Sequence, residues 1–436
     1  MLKNFGEHIQ RQFPELVKSP FLLACSGGID SMVLAHLCHI LQLRFSLAHC
    51  NFGLRGAESD GDADFVEKFG EAIDKKVFIK PFNTSEYVSQ HKVSVQMAAR
   101  TLRYEWFGEL MRKKDIPFLV TAHHADDSLE TFLINLSRGT GLEGLVGIPE
   151  RNGHTRRPLL PFSRAEIENY AQQNNLMWRE DSSNQETQYL RNRIRHHIVP
   201  ELKELHPTFL DNFMHTLQFL QESQQLNKAY AHSLREGLLV KKEGHWEISV
   251  EKLKMLRPLK PHLYLLFGAY GFSEWNNVVH LVSATNGKEV RSHSHRLIKY
   301  RENLILAPLE KKGLSEYIIP KGVGEITEPV HLKLHSVEQI VPHTNHTIYV
   351  DADSMVPPLR IGKWKAGDIF YPAGMKGKKK LSKFLRDEKM DKVAREGQWL
   401  LFSGNDVVWV IGLRADARFQ VTKQTTKILK IVLCDS

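Results

Sequence analysis

The sequence feature that most constrains this chain is a short turn, S-G-G-I-D-S, at residues Ser26 to Ser31. An apolar run typical of a buried strand, Phe21 to Cys25, precedes it, and a segment with helical periodicity, Met32 to Leu43, follows it. Two glycines let the backbone approach a ligand closely, and the start of the helix directs unpaired N–H groups and its positive dipole end to the same point. The sequence therefore predicts an anion-binding loop, with an ordinary strand-to-helix turn as the alternative.

This loop differs from the two most familiar phosphate-binding motifs. It has no lysine of the G-x-x-x-x-G-K-[ST] kind, which disfavours a Walker-type NTPase, and it does not match G-x-G-x-x-G. Ser26 and Ser31 add hydroxyl donors to the loop. We expect Asp30 either to hold a magnesium ion or to shape the turn.

Strands and helices are predicted to alternate over the first 200 residues. Apolar runs typical of buried strands lie at 45–49, 77–82 and 118–122, and helical periodicity covers 58–73, 95–114 and 125–138. Strands separated by helices of this length imply right-handed crossovers and a parallel, Rossmann-like sheet covered on both faces. A ligand of such a sheet binds at the carboxyl ends of the strands.

A chain of 436 residues needs more than one hydrophobic core. After Pro207 the pattern becomes helical and rich in glutamine, and the last third alternates like strands at 331–334, 347–350, 407–413 and 428–433. We therefore predict an α/β protein with three domains. Residues 1–205 form the α/β domain with the parallel sheet, 206–325 a mainly helical domain and 326–436 a small, basic α+β domain.

Positive charge is in modest excess, with 59 lysines and arginines against 50 aspartates and glutamates and a net charge of +9. Such an excess suits a polyanionic partner but serves solubility equally well. Basic residues are concentrated in two clusters: Arg191, Arg193 and Arg195 form the first, and Lys376, Lys378, Lys379, Lys380 and Lys383 form the second. Each cluster alone is also typical of a solvated surface, so nucleic-acid binding is a hypothesis at this point.

The four cysteines of the chain form no C-x-x-C pair, which argues against a structural zinc site or a disulfide framework. No stretch contains 18 uncharged apolar residues, and the first residues lack the apolar core of a signal peptide. We therefore expect a cytoplasmic protein without a membrane partner.

Three further segments place polar side chains at predicted strand ends or on flanking helices. They are H-C-N-F-G-L-R-G at 49–56, R-T-L-R-Y at 100–104 and A-H-H-A-D-D-S-L-E-T at 122–131. Asp127 and Glu130, spaced i, i+3, put two carboxylates on one helical face, an arrangement suited to an ammonium group. A solvated acidic face is the alternative, and Arg100 and Arg103 are likewise either phosphate ligands or ordinary surface arginines.

The S-G-G-I-D-S loop resembles that of the PP-loop ATP pyrophosphatases, which cleave ATP between its α and β phosphates and adenylate an oxygen of their substrate. The other segments resemble one branch of that superfamily, the tRNA(Ile)-lysidine synthetases. The resemblance continues through R-G-T-G-L-E-G at 138–144, R-P-L-L-P-F at 157–162, W-R-E-D-S-S-N at 178–184, Y-L-R-N-R-I-R-H at 189–196 and the segment 364–385. It implies a ligase that attaches lysine to C2 of the wobble cytidine in the isoleucine tRNA with a CAU anticodon. The implied reaction passes through an adenylated cytidine and releases pyrophosphate and AMP.

The resemblance also implies roles for individual residues. ATP would be bound by Ser26, Gly27, Gly28, Ile29, Asp30, Ser31, His49, Asn51, Arg55, Arg103 and His123, and Mg²⁺ by Asp30. L-lysine would be bound by Asp127 and Glu130, and catalysis would depend on Asp30, Arg103 and Asp127. The two basic clusters would contact the tRNA. A homodimer is compatible with the resemblance, and the oligomeric state is left open.

Three other functions match parts of the pattern. A PP-loop tRNA thiolase generally needs paired cysteines or an iron-sulfur cluster, and a small-molecule amidotransferase needs a glutaminase domain or partner. A non-catalytic tRNA-binding protein would not need the intact S-G-G-I-D-S and H-H-A-D-D segments. The sequence therefore favours the lysine ligase over all three.

Overall fold

The computed structural model of the protein describes residues 1–180, 190–242, 244–309, 316–342 and 344–434. These residues belong to two compact units, Met1–Leu226 and Asn227–Ser436, and the division falls inside one long helix. Of the segments that carry the resemblance, residues 181–184 and Tyr189 lie outside the described residues. The division into three domains at 1–205, 206–325 and 326–436 stays a prediction.

The first unit contains an alternation of helices and strands. Its helices are α1 (Leu2–Gln12), α2 (Pro14–Lys18), α3 (Ile29–Ile40), α4 (Ala57–Ala72), α5 (Thr84–His91), α6 (Val95–Lys114), α7 (Ala125–Ser137), α8 (Leu142–Leu145), α9 (Arg164–Gln173), α10 (Leu190–Arg193), α11 (Val199–Glu204) and α12 (Phe209–Leu238). A π-helical stretch, Ile194–Ile198, joins α10 to α11. The strands are β1 (Phe21–Ala24), β2 (Phe45–Asn51), β3 (Val77–Pro81), β4 (Phe118–Val120), β5 (Arg151–Asn152) and β6 (Thr155–Arg156).

These six strands form one sheet in the order β3-β2-β1-β4-β6-β5. The pairs from β3 to β6 are parallel, and β5 is added to the edge antiparallel to β6. The predicted Rossmann-like parallel sheet is confirmed, because all four predicted strands and the helices between them occur within a few residues of their expected positions.

Helices cover both faces of this sheet, and successive residues of β1 therefore pack into different hydrophobic cores. Phe21 and Leu23 are fully buried in a cluster that includes residues of α1, α3 and α9. Leu22, between them, packs in a second cluster with Trp106 and Phe107 of α6. A continuous apolar run is typical of a strand covered on both sides, and each such buried side chain stabilises the fold by roughly 1.5–3 kcal/mol.

The second unit is built mainly from antiparallel strands. Its helices after α12 are α13 (Val250–Met255), α14 (Leu259–Phe267), α15 (Trp275–Leu281), α16 (Leu381–Asp387) and α17 (Lys392–Gly397). Its strands are β7 (Val240–Lys242), β8 (His245–Ser249), β9 (Glu289–Arg291), β10 (His295–Tyr300), β11 (Asn303–Pro308), β12 (Glu316–Ile319), β13 (Glu325–Ile326), β14 (Leu332–Val337), β15 (Thr347–Asp351), β16 (Leu359–Lys363), β17 (Ile369–Phe370), β18 (Lys379–Lys380), β19 (Trp399–Ser403), β20 (Asp406–Val410), β21 (Arg414–Ala415) and β22 (Ile428–Leu433).

The strands of the second unit form separate sheets along the chain. One sheet has the order β7-β8-β11-β10-β9 and accompanies the predicted helices of the middle region. The C-terminal strands form the sheets β12-β16-β19-β20-β21 and β13-β14-β22-β15, with a small pair β17-β18. The C-terminal strand predictions are confirmed. Within the described residues, no helix combines the length and the apolar character needed to cross a membrane.

Candidate active site

The S-G-G-I-D-S loop joins β1 to α3 at the carboxyl edge of the sheet. Ser31 holds its shape, because Oγ donates to the carbonyl oxygen of Gly28 at 2.9 Å and accepts from the backbone N–H of Ser26 at 3.2 Å. Gly27 has a φ of +86°, a conformation that favours glycine, and the side chain of Ile29 is buried. Hydrogen bonds within the loop thus fix its conformation. The N-terminus of α3 lies at the strand ends, as anion binding requires.

His49 and Asn51 end β2 beside this loop. Nδ1 of His49 donates to the carbonyl oxygen of Cys25 at 2.9 Å, and burial holds the pKa of His49 below its ordinary value. A neutral ring that carries its proton on Nδ1 offers Nε2 as an acceptor. The amide of Asn51 donates to Asp60 at 2.8 Å and accepts from the N–H of Gly53 at 2.9 Å. His49 therefore flanks the phosphate loop, and Asn51 shapes the loop that follows β2.

A buried carboxylate, Asp62 of α4, holds two arginines near the phosphate loop. Nη2 of Arg55 donates to Oδ2 of Asp62 at 2.7 Å, and Nε of Arg179 donates to Oδ1 at 3.0 Å. The backbone N–H of Arg179 donates to the carbonyl oxygen of Gly27 at 2.9 Å. Arg55, predicted to bind ATP, therefore belongs to the same cluster as Arg179, for which the sequence predicted no role.

Asp30 connects the phosphate loop to α7 and α9. Nη1 of Arg164, the first residue of α9, donates to both carboxylate oxygens of Asp30 at 2.7 and 2.8 Å. Nε2 of the buried His124 lies 3.7 Å from Asp30 and 3.5 Å from Asp127, and its Nδ1 lies 3.7 Å from Asp126. His124 therefore lies among three carboxylates, between the phosphate loop and the acidic start of α7.

The two carboxylates predicted to bind lysine are occupied by arginines of the first basic cluster. Arg191 donates to Asp127 at 2.8 Å and to Glu130 at 2.7 Å. Arg195 donates to Glu130 at 3.0 Å and to Asp127 at 3.3 Å. Burial by itself raises the pKa of Asp127, but the charges of His124 and Arg191 outweigh burial and hold that pKa below its ordinary value. Asp127 therefore stays ionised and suits a cationic ligand better than the role of a general base.

Arg103 and His123 differ in the charge that they bring to the carboxyl edge of the sheet. Arg103 lies on α6 with its guanidinium carbon 5.3 Å from the ring centroid of Phe52, and its side chain is exposed. Nδ1 of His123 lies 2.9 Å from Oγ1 of Thr121, and burial lowers the pKa of His123 to about 4. A neutral His123 can hydrogen-bond a base or a phosphate but brings no positive charge, whereas Arg103 brings one.

Comparison with known proteins identifies the family of this chain. Residues 1–202 match the PP-loop domain, residues 241–309 the TilS substrate binding domain and residues 359–432 the TilS substrate C-terminal domain. The tRNA(Ile)-lysidine synthase of Parabacteroides distasonis is 34% identical over 416 residues, which cover 94% of each chain. The chain belongs to the tRNA(Ile)-lysidine synthase family. This membership confirms the resemblance inferred from the motifs.

A second tRNA(Ile)-lysidine synthase, from Porphyromonas gingivalis, is 36% identical over 420 residues, which cover 92% of this chain and 91% of the relative. Among solved structures, the U34-tRNA thiolase NcsA of Methanococcus maripaludis is 19% identical and covers 51% of this chain and 78% of its own, with a TM-score of 0.43. A likeness at that score supports no argument about function.

The second basic cluster of this lysidine synthase family member surrounds the start of α16. Lys376, Lys378, Lys380 and Lys383 are exposed, whereas Nζ of Lys379 lies 2.7 Å from the carboxylate of Asp387. In the first cluster Arg193 is exposed, whereas Arg191 and Arg195 contact the acidic pair of α7. Of the predicted tRNA-binding residues, Arg191, Arg195 and Lys379 thus have a carboxylate partner, although Arg191 is also exposed.

Several site residues of this lysidine synthase family member were missed from the sequence. Arg164 binds Asp30, Lys203 contacts Asp126, and Arg179 reaches the phosphate loop. A signal existed for Arg179, because it lies in the W-R-E-D-S-S-N segment. Arg164 and Lys203 lie in segments where the sequence shows only ordinary helical patterns, so no motif marks them. His124 follows His123 in the A-H-H-A-D-D segment, but only the structure shows that it lies among carboxylates.

Proposed function

We propose that this protein uses ATP to ligate lysine to C2 of the wobble cytidine in the isoleucine tRNA with a CAU anticodon. The observation that carries the proposal is the proximity of two predicted sites in a chain of the tRNA(Ile)-lysidine synthase family. His124 lies 3.7 Å from Asp30 of the phosphate loop and 3.5 Å from Asp127 of the acidic pair. A nucleotide and an amine bound at these groups are neighbours, as sequential adenylation and amine attack require.

In the first step, the Ser26 to Ser31 loop holds the β and γ phosphates of ATP at the N-terminus of α3. The cytidine O2 attacks the α phosphate, and pyrophosphate leaves. Nε2 of the neutral His49 can accept a hydrogen bond from a hydroxyl or amino group of the nucleotide, and Arg103 supplies positive charge for the phosphates. Catalysis of this step depends on positioning the cytidine O2 against the α phosphate and on stabilising the negative charge of the phosphates, as in other reactions at phosphorus.

Asp30 is the residue we propose for a magnesium ion that accompanies ATP. Carboxylate oxygens are the ligands that Mg²⁺ prefers, and Asp30 lies in the phosphate loop with its side chain partly exposed. Nη1 of Arg164 donates to both Asp30 oxygens, and each oxygen keeps a further lone pair that can bind a metal ion. The ion supplies charge neutralisation to the phosphates when bound.

In the second step, the ε-amine of lysine attacks C2 of the adenylated cytidine and AMP leaves. We propose that Asp127 and Glu130 bind an ammonium group of lysine, because the structure already holds two cationic side chains there. Lysine must therefore displace or share the contacts of Arg191 and Arg195. The proton of the attacking amine passes to a group other than Asp127, since the lowered pKa of that carboxylate makes it a weak base.

Thiolation is not favoured by the cysteines near the phosphate loop. Burial raises the pKa of Cys25 and of Cys38 above the ordinary thiol value, and raises the pKa of Cys50 to about 12. A thiol attacks only as the thiolate, so these three groups stay protonated and unreactive near neutral pH. The cytoplasm, where tRNA is available, is the proposed location of the reaction.

The proposal is tested by incubating the protein with ATP, labelled lysine and total tRNA. We expect label in the isoleucine tRNA with a CAU anticodon, together with pyrophosphate and AMP. Omitting lysine should stop AMP formation while tRNA-dependent pyrophosphate release continues for one turnover. A tRNA preparation without that isoacceptor is the control. Absence of label from the isoleucine tRNA, or incorporation of sulfur instead, would reject the proposed function.

A further inference from the structure

The phosphate loop lacks a cationic side chain of its own. The segment S-G-G-I-D-S contains no lysine or arginine, and its one charged residue, Asp30, is negative. Pyrophosphate carries several negative charges, and hydrogen bonds from backbone N–H groups and a helix dipole neutralise them only in part. A cationic side chain from another element that lies against the loop would add to the charge neutralisation that a bound magnesium ion supplies.

Arg179 lies against the loop at the glycine that must admit the ligand. Its backbone N–H donates to the carbonyl oxygen of Gly27 at 2.9 Å, and a Cβ on Gly27 would lie 3.9 Å from Cγ of Arg179. The side chain then extends along α4, because a Cβ on Gly61 would lie 3.4 Å from Nη2 of Arg179. The guanidinium thus spans the gap between the phosphate loop and the first half of α4.

Asp62 fixes the orientation of this guanidinium. Its buried carboxylate accepts a hydrogen bond from Nε of Arg179 at 3.0 Å. The terminal nitrogens Nη1 and Nη2 take no part in this bond. The Arg179 side chain is 45% exposed, so a ligand in the loop can reach it. The other oxygen of Asp62 accepts from Arg55, which also lies 3.8 Å from Glu58.

We propose that Arg179 binds the pyrophosphate that leaves ATP and that Asp62 is its positioning residue. This inference rests on the proposed function. As the cytidine O2 forms a bond to the α phosphorus, the bond from that phosphorus to the α–β bridging oxygen breaks. The bridging oxygen leaves on pyrophosphate with the electron pair. The guanidinium of Arg179 donates to the departing phosphates, since planar guanidinium groups match phosphate oxygens and keep their charge.

The test compares Arg179→Gln and Arg179→Lys with the unchanged protein in two measurements. Calorimetric titration with inorganic pyrophosphate and with AMP measures binding to each half of the nucleotide site. Inhibition by pyrophosphate is measured in the tRNA-dependent reaction. We expect Arg179→Gln to weaken pyrophosphate binding about 10-fold to 100-fold, as the loss of one charged hydrogen-bonding partner predicts, and to leave AMP binding within about 2-fold. Arg179→Lys should recover part of the loss.

Two further variants separate binding from a merely structural role. Arg112→Gln removes an exposed arginine at the end of α6 and should leave pyrophosphate binding unchanged. Asp62→Asn keeps the shape of the carboxylate but not its charge, and should weaken pyrophosphate binding less than Arg179→Gln does. Unchanged pyrophosphate affinity in Arg179→Gln would overturn the inference, as would equal losses for pyrophosphate and AMP. Because titration needs no tRNA, it decides the inference even if the lysine-ligation assay rejects the proposed function.

Discussion

Asp30 lies between the proposed ATP site and the proposed lysine site. It belongs to the phosphate loop, it accepts two hydrogen bonds from Arg164, and it lies 3.7 Å from His124, which in turn approaches Asp127. An uncharged side chain at this position would remove a carboxylate partner of Arg164, which also contacts Glu168, and would remove the proposed magnesium ligand. Asp30 should therefore matter more for the chemical step than for folding.

The prediction is that Asp30→Asn lowers the rate of tRNA-dependent pyrophosphate release about 100-fold or more, the size expected when a group that stabilises transition-state charge is lost. Release is measured with a coupled phosphate assay at saturating ATP. Asp64→Asn, an exposed aspartate of α4, is the control and should release pyrophosphate at the normal rate. Normal release by Asp30→Asn would remove Asp30 from the catalytic residues.

Asp127 offers a prediction about pH because its pKa is held below the ordinary value by His124 and Arg191 despite the opposing effect of burial. A carboxylate with a lowered folded-state pKa stabilises the native state fully above its unfolded pKa of about 3.9, and this contribution is lost as the pH falls through the folded pKa. Asp127→Asn should therefore destabilise the protein at pH 7, by about 1–3 kcal/mol.

The difference in the free energy of unfolding between Asp127→Asn and the unchanged protein should narrow as the pH falls from 7 through the lowered folded-state pKa of Asp127, since the carboxylate is then protonated in both states. Urea unfolding at several pH values measures this difference, and Asp64→Asn is the control for loss of an exposed carboxylate. A difference that stays constant over this range would show that the charge of Asp127 does not stabilise the fold.

The sequence predicted local pairs well and distant pairs poorly. The capping box of Ser163 and Glu166 at the start of α9 is such a local pair, because its two residues are three positions apart. Arg164, the next residue, binds Asp30 across 134 positions, and no spacing rule connects residues so far apart. The ion pairs from Arg191 and Arg195 to α7 likewise depend on how separate helices pack. The sequence of this arginine-rich segment therefore predicted RNA contacts but not the ion pairs.

At the scale of elements, apolar patterns located the parallel sheet. β1 to β4 begin at the predicted residues because buried parallel strands are short, continuous apolar runs. The strands β9, β10 and β11 were not predicted, since the neighbouring helical segments suggested a mainly helical region. Their burial depends on a core shared with α14 and α15, which contains Leu263, Val278 and Leu297. Such a core is a property of tertiary packing, so local periodicity did not reveal it.

The lysine cluster around α16 yields a prediction that depends on which lysines already have a carboxylate partner. Replacing the exposed Lys378 and Lys380 with glutamine should weaken tRNA binding roughly tenfold and lower the slope of log affinity against log salt by about 2, because each lost phosphate contact lowers it by about 1. Lys379→Gln should have a smaller effect, since that ammonium is paired with Asp387. Filter binding across a range of salt concentrations measures both quantities.

ATP binding provides the internal reference for the lysine variants, because the proposed nucleotide site lies in the first unit and the lysine cluster in the second. Affinity for ATP in the absence of tRNA should be the same in all of them. Equal tRNA affinity and an unchanged salt slope in the Lys378 and Lys380 variant would exclude this cluster from the RNA-binding surface.

At the scale of the whole molecule, the net charge of +9 alone does not distinguish a polyanion partner from solubility. Some of the predicted tRNA-binding residues contact carboxylates, and exposed ones occur in both compact units. Arg193 is exposed in the first unit, and Lys378 and Lys380 are exposed in the second. A large ligand such as tRNA can use both groups in one complex, whereas ATP or lysine cannot. The two groups should then contribute to a single binding free energy.

We therefore predict that Arg193→Gln weakens tRNA binding on its own and that its effect adds to that of the Lys378 and Lys380 replacements. Contacts that share no partner lose binding free energy independently, so the combined variant should lose the sum within about 0.5 kcal/mol. Binding of purified isoleucine tRNA at one fixed salt concentration measures the four affinities. The KM for lysine should stay unchanged in Arg193→Gln, because the acidic pair of α7 contacts Arg191 and Arg195. A combined variant no weaker than the lysine variant alone would show that the tRNA does not engage Arg193.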